Sequence, residues 1–110
     1  MNVEYTGRQF EITPLTRKQV EGGLEKIQKI LGSNFDTHVI LSLSKRRHIA
    51  EITLTVRNQG PIVGLAEAQE MSVAIGGAFD KIERQAVKYK TRWKSKKRQA
   101  RKKLELIEAP

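Results

Sequence analysis

Two runs of alternating apolar residues with a basic spacer between them constrain this chain more than any other feature. Val39, Leu41 and Leu43 alternate with His38, Ser42 and Ser44, although Ile40 interrupts the pattern; Ala50, Ile52, Leu54 and Val56 alternate with Glu51, Thr53 and Thr55. Side chains on a strand point to its two faces in turn, so each run predicts a strand with one dry and one wet face. With Lys45-Arg46-Arg47 as the connection, the two form a hairpin with a basic tip. Its dry face has to be covered by another part of the chain.

The cover comes from two helical patterns. Thr13-Pro14 supplies an N-cap hydroxyl and a proline at the first helical position, where a missing N–H costs nothing. Val20, Leu24, Ile27 and Leu31 then step by four, three and four residues along one face, and Gly32 marks the end. A longer helix follows Glu70. Met71, Ile75, Ala78, Ile82, Ala86, Tyr89 and Trp93 fall close to one line at about 100° per residue, and that face packs on the sheet. Val3 and Tyr5, ahead of Gly7-Arg8, read as a first strand. Ile62 to Ala68, after the punctuation Asn58-Gln59-Gly60-Pro61, reads as a fourth, antiparallel to the third. The predicted fold is α+β, in the order β-α-β-β-β-α, with two helices packed on one face of a four-stranded sheet.

At 110 residues the chain holds one core and not two. The domain is expected over residues 1–94, with 95–110 a basic extension or disordered tail, since the run from Lys94 to Lys103 has no apolar stripe to bury. The absence of cysteine removes disulfides, thiolate zinc sites and a Cys nucleophile together. No run is apolar enough to span a membrane and no signal-peptide pattern opens the chain, so the expected location is cytoplasmic.

Charge is informative once it is located. Residues 1–80 hold nine Lys/Arg and nine Asp/Glu, whereas residues 81–110 hold twelve Lys/Arg against Glu83, Glu105 and Glu108, so the whole excess of +9 lies there. Lys81, Arg84, Lys88 and Arg92 form a ridge pointing away from the apolar line of the last helix. Cations at that spacing repel one another unless a polyanion screens them. Gly22-Gly23 in the first helix reads as close packing or tolerance, with a close approach to RNA as the alternative; Gly76-Gly77 reads as fraying or tight packing. His38 and His48 have no partner at metal-ligand spacing and read as surface strand residues. No phosphate loop, nucleophile elbow or paired carboxylate site is evident, so neither catalysis, metal, cofactor nor small-molecule substrate is expected. Most aromatic residues fall on apolar faces, which favours recognition of RNA shape and backbone over base stacking.

Several segments together resemble the ribosome hibernation promoting factor and ribosome-associated inhibitor A family, historically the sigma-factor modulation proteins. They are Thr6-Gly7-Arg8, Thr13-Pro14-Leu15, the stretch from Lys45 to Leu54, Ala66-Glu67-Ala68-Gln69-Glu70-Met71, Ala74-Ile75 and Asp80-Lys81-Ile82-Glu83-Arg84-Gln85. The resemblance spans roughly residues 1–94. It implies a fold like that of a double-stranded RNA-binding domain, and docking in the small-subunit channel used by messenger and transfer RNA. It also implies ribosomal RNA contacts at Arg8, Lys26, Lys29, Lys45, Lys81, Arg84, Lys88 and Lys90; Arg46 and Arg92 join them on local charge alone. Ser72 stands where the family usually has an aromatic residue, and Gly76 where an acid is common. The chain looks like a short member, without the C-terminal domain through which long members pair ribosomes, and is expected to be monomeric when free.

Two functions of different class follow. One is a ribosome-docking inhibitor of translation whose partner is the small subunit and its RNA; the other is a regulatory protein-binding module with an acidic or transcription-machinery partner. A cationic ridge on the last helix favours the first, an exposed apolar groove the second.

Overall fold

The first helix begins where its capping chemistry puts it. The Thr13 hydroxyl accepts a hydrogen bond from the Thr16 amide at 3.2 Å, Pro14 is the first helical residue, and Gly32, with φ +80°, closes the helix through its amide to the Gln28 carbonyl at 2.8 Å. The structure, a computed structural model, describes residues 2–57 and 60–108, with side chains described as far as Lys90. The elements in chain order are β1 (Val3–Arg8), α1 (Pro14–Leu31), β2 (Phe35–Ser44), β3 (Arg47–Val56), β4 (Pro61–Ala68) and α2 (Met71–Glu108). This is the predicted β-α-β-β-β-α order.

The strands lie side by side as β1-β2-β3-β4. β1 runs parallel to β2 with Tyr5 beside Val39, which is why α1 must cross between them. β2 and β3 form the expected hairpin, Val39 opposite Ile52, and β4 pairs antiparallel to β3 with Gly64 opposite Ile52. The connection is tighter than expected: Arg47 is the first residue of β3, so only Lys45 and Arg46 turn the chain, with φ +47° and +72°. A two-residue loop with two positive φ values has the twist that joins adjacent strands without splaying them. Strand β2 also starts earlier than its alternation suggested, because Phe35 continues the inward parity of Thr37, Val39 and Leu41 and is itself buried.

Both helices cover one face. Val20, Leu24 and Ile27 of α1, Val39 and Leu41 of β2, Ala50, Ile52 and Leu54 of β3, and Ile75, Ala78, Ile82 and Ala86 of α2 are all at most 1% exposed. Each large aliphatic side chain so buried contributes about 1.5–3 kcal/mol to folding. Leu31 and Leu43, assigned to the dry faces, are half-buried at the margins. Close approach of α2 to the sheet depends on Gly64, where a methyl group would collide with the Ala78 carbonyl oxygen. The glycine pairs divide. Gly23 makes room for the Phe79 ring and Gly77 for the Ala66 methyl, whereas a Cβ at Gly22 or Gly76 would meet nothing within 4 Å.

Candidate nucleic-acid interface

Helix α2 lies along the outer strand of the sheet, and its polar side chains divide between the two flanks. Lys81 and Gln85, one turn apart, reach β4: the Lys81 ammonium donates to the Leu65 carbonyl, and the Gln85 amide to the Val63 carbonyl at 2.7 Å. These bonds cap main-chain acceptors of an edge strand, a position that otherwise invites another chain to pair. Arg84 and Lys88 are exposed and follow on the same flank. Asp80 and Glu83 lie on the other flank, in the groove between the helices with Lys26, Gly22 and Gly76. Asp80 nevertheless lies one turn before Arg84, so the cationic flank borders an acid, and Lys81 has a structural partner as well as an exposed position.

The remaining predicted contacts fall at the two ends of the body. Arg8 closes β1 opposite Ser42, near the hairpin tip where Lys45 and Arg46 are exposed. Since α1 faces the odd-numbered residues of β1, Arg8 sits on the opposite, open side of the sheet. Lys29, in the last turn of α1, and Lys90 are exposed at the far end. The candidates whose side chains are described therefore make a flank, two ends and, at Lys26, part of the groove between the helices, and no single focus. Arg92 belongs to α2, but its side chain, like that of Trp93, lies outside the described residues, as do Asn58 and Gln59; the same holds for the side chains of the basic run after Lys94.

Several polar contacts hold these groups in position. Gln19 donates to the Ser72 carbonyl at 2.8 Å and ties the start of α2 to α1, so Ser72 contributes its main chain where the family usually has an aromatic side chain. His48 is half-buried instead of on the surface; its Nδ1 lies 3.0 Å from the Gln69 carbonyl and Phe10 meets its ring edge-on. His38 is exposed as expected, 3.0 Å from the Thr6 hydroxyl. Arg17 sits over the Tyr5 ring at 4.9 Å. Burial pushes the Tyr5 phenol above its ordinary 10.0, the Glu21 carboxylate pushes it the same way, and Arg17 opposes them. Beside the tip, Arg47 pairs with Glu67 at 3.4 Å on the surface, a contact worth under about 1 kcal/mol.

Sequence reasoning missed two participants. Phe79 packs on Gly23 where the helices meet, and Arg57, just beyond β3, lines a cavity with Tyr89 and Lys90. Among the described residues no three His, Cys, Asp or Glu side chains cluster so as to hold a metal ion. None of the described helices is long and apolar enough to cross a membrane.

The fold and this distribution of cations define a class, the small α+β domain with basic helices laid on one face of a four-stranded sheet. The chain belongs to the Sigma 54 modulation protein / S30EA ribosomal protein family, whose pattern matches residues 3–94. Over 94 residues it is 35% identical to the ribosome hibernation promoting factors of Klebsiella oxytoca and Escherichia coli, a stretch covering 86% of this chain and 98% of each of those proteins. Among solved structures it is similar to a ribosomal subunit interface protein from Coxiella burnetii, with a TM-score of 0.74 and 26% identity over 83% of this chain and 99% of that one. It is also similar to the Protein Y N-terminal domain of Thermus thermophilus, with a TM-score of 0.74 and 29% identity over 81% and 99% of the two chains.

Proposed function

We propose that this protein is a ribosome hibernation factor. It docks in the cytoplasm on ribosomal RNA of the small subunit, in the channel that messenger and transfer RNA would occupy, and blocks translation reversibly by occupancy and without catalysis. The observation that carries this reading is the alignment with ribosome hibernation promoting factors along 98% of their length. The charge arrangement supports it. Arginine and lysine on a helix flank meet phosphates without reading bases, and such contacts suit the walls of a folded RNA. In this reading Arg84 and Lys88 contact the RNA directly, with Arg92 further along α2, Lys26 in the groove between the helices, Lys29 and Lys90 at the far end and Arg8, Lys45 and Arg46 at the hairpin end. Lys81 shares its ammonium between the sheet edge and the RNA.

The test is co-sedimentation of the protein with ribosomes from stationary-phase or stressed cells, together with titration into a translation reaction. Inhibition should be stoichiometric with ribosomes and relieved by added messenger or initiator transfer RNA. Replacing Arg84 and Lys88 by Ala should leave circular dichroism and the melting temperature unchanged. It should weaken binding about a hundredfold or more, since each of the two lost charge-assisted contacts is worth about 1.5–3 kcal/mol. Unchanged pelleting of the double variant would take the α2 flank out of the interface, and lasting inhibition at substoichiometric protein would point to a catalyst that damages ribosomes.

A further inference from the structure

Where α2 leaves the sheet, the end of α1, the end of β3 and α2 itself line a half-open cavity of about 270 Å³. Its apolar side is built by Ile30 and Leu31, which are half-buried, and Val56, which is buried; Tyr89, also half-buried, adds an aromatic wall. The exposed side chains that line it are Asn34, Arg57 and Lys90. The Arg57 amide donates to the Asn34 carbonyl at 3.2 Å, so two of these residues are tied together through the main chain. Charge separates this cavity from its neighbours. The groove between the helices contains Asp80 and Glu83, and hollows along the sheet contain Asp36, Glu4 or Glu67, but among the described residues no carboxylate lines this one.

We propose that this cavity is a nucleotide site that receives one unstacked nucleotide, its base against Tyr89 and its phosphate between Arg57 and Lys90. The parts match the chemistry of that ligand. A base has an apolar, polarisable face that stacks on an aromatic ring, and polar edges to which the Asn34 amide offers both a donor and an acceptor. The guanidinium and ammonium answer the phosphate charge. The volume lies just below the range of about 300–1,000 Å³ typical of drug-sized ligands, which suits a single base. Ribosomal RNA is one source of the nucleotide, and that source rests on the function proposed above; a free nucleotide would not depend on it.

The experiment is a ¹⁵N–¹H titration of the full chain with each of the four nucleoside monophosphates, with inorganic phosphate and with a short single-stranded oligoribonucleotide. Nucleotides should shift the amides of Leu31, Asn34, Arg57 and Tyr89, whereas inorganic phosphate should leave the Leu31 and Tyr89 amides in place. Tyr89→Leu should weaken nucleotide binding about tenfold, the scale of one lost base–aromatic stack. Asn34→Ala, an exposed change that leaves the core intact, should alter the preference among the four bases, and it carries the test if Tyr89→Leu unfolds. Shifts with the oligoribonucleotide alone support an RNA source, and shifts with monophosphates too support a site that a free nucleotide can fill. The proposal is overturned if neither the monophosphates at millimolar concentration nor the oligoribonucleotide perturbs these amides, or if inorganic phosphate reproduces the whole pattern. Ribosome pelleting of the unsubstituted protein is measured alongside, so failure of the docking reading and failure of the cavity are separate results.

Discussion

Thr37 contradicts its surroundings. It is 3% exposed, between Val3 and Leu54 on the helix-facing side of the sheet, and its hydroxyl has no hydrogen-bond partner among the described residues. Its main chain is satisfied, since its amide donates to the Asn2 carbonyl at 2.8 Å. A buried hydroxyl left unpaired costs about 1–3 kcal/mol, and valine has nearly the same shape with no polar atom. Thr37→Val should therefore stabilise the fold by about 1 kcal/mol and raise the melting temperature by about 4 °C or more. A fall in melting temperature would mean that the hydroxyl is hydrogen-bonded in solution. The alternation of β2 put Thr37 on the inward parity, but composition alone gives a threonine no reason to be dry.

At the scale of elements, local rules account for most of what could be read in advance. The cap at Thr13-Pro14, the stop at Gly32, the alternation of β3 and the apolar line of α2 from Met71 to Tyr89 each depend on residues near one another in the chain, and each appears where expected. The candidate site was legible only as a list of exposed cations. The Lys81 bond to Leu65 spans 16 residues, and the cavity walls come from three distant segments. Neither leaves a periodic signal, because packing brings them together. The hairpin tip lies between these cases. Its basic character was plain, but the positive φ of both Lys45 and Arg46 was not, since such turns favour Asn-Gly. A left-handed backbone costs an ordinary residue about 1–2 kcal/mol, so Lys45→Asn with Arg46→Gly should stabilise the hairpin by about that amount while removing two cations. The expected result is a higher melting temperature with weaker ribosome binding, read by calorimetry and pelleting on one preparation. A variant that is more stable and binds as well as before would remove the tip from the interface.

For the whole molecule, electrostatics sets the sensitivity of binding to salt. If about six phosphates are neutralised, counterion release at a slope near −0.7 per contact lowers affinity by roughly two to three decades between 50 and 200 mM salt. Pelleting across that range measures the slope, and an affinity indifferent to salt would remove phosphate contacts from the mechanism. The extension of α2 adds a consequence of another kind. The helix runs on to Glu108, past the body, and the entire excess charge of +9 belongs to residues 81–110, whereas residues 1–80 sum to zero. Such a molecule is a long electric dipole with its positive pole on an arm. Near a polyanion it experiences a torque before it makes contact, so it turns and arrives arm first. The arm, with +6 of the charge over residues 91–110 against +3 on residues 81–90 of the body, then governs how often collisions are productive, and the body, seated afterwards, governs how long the complex lasts.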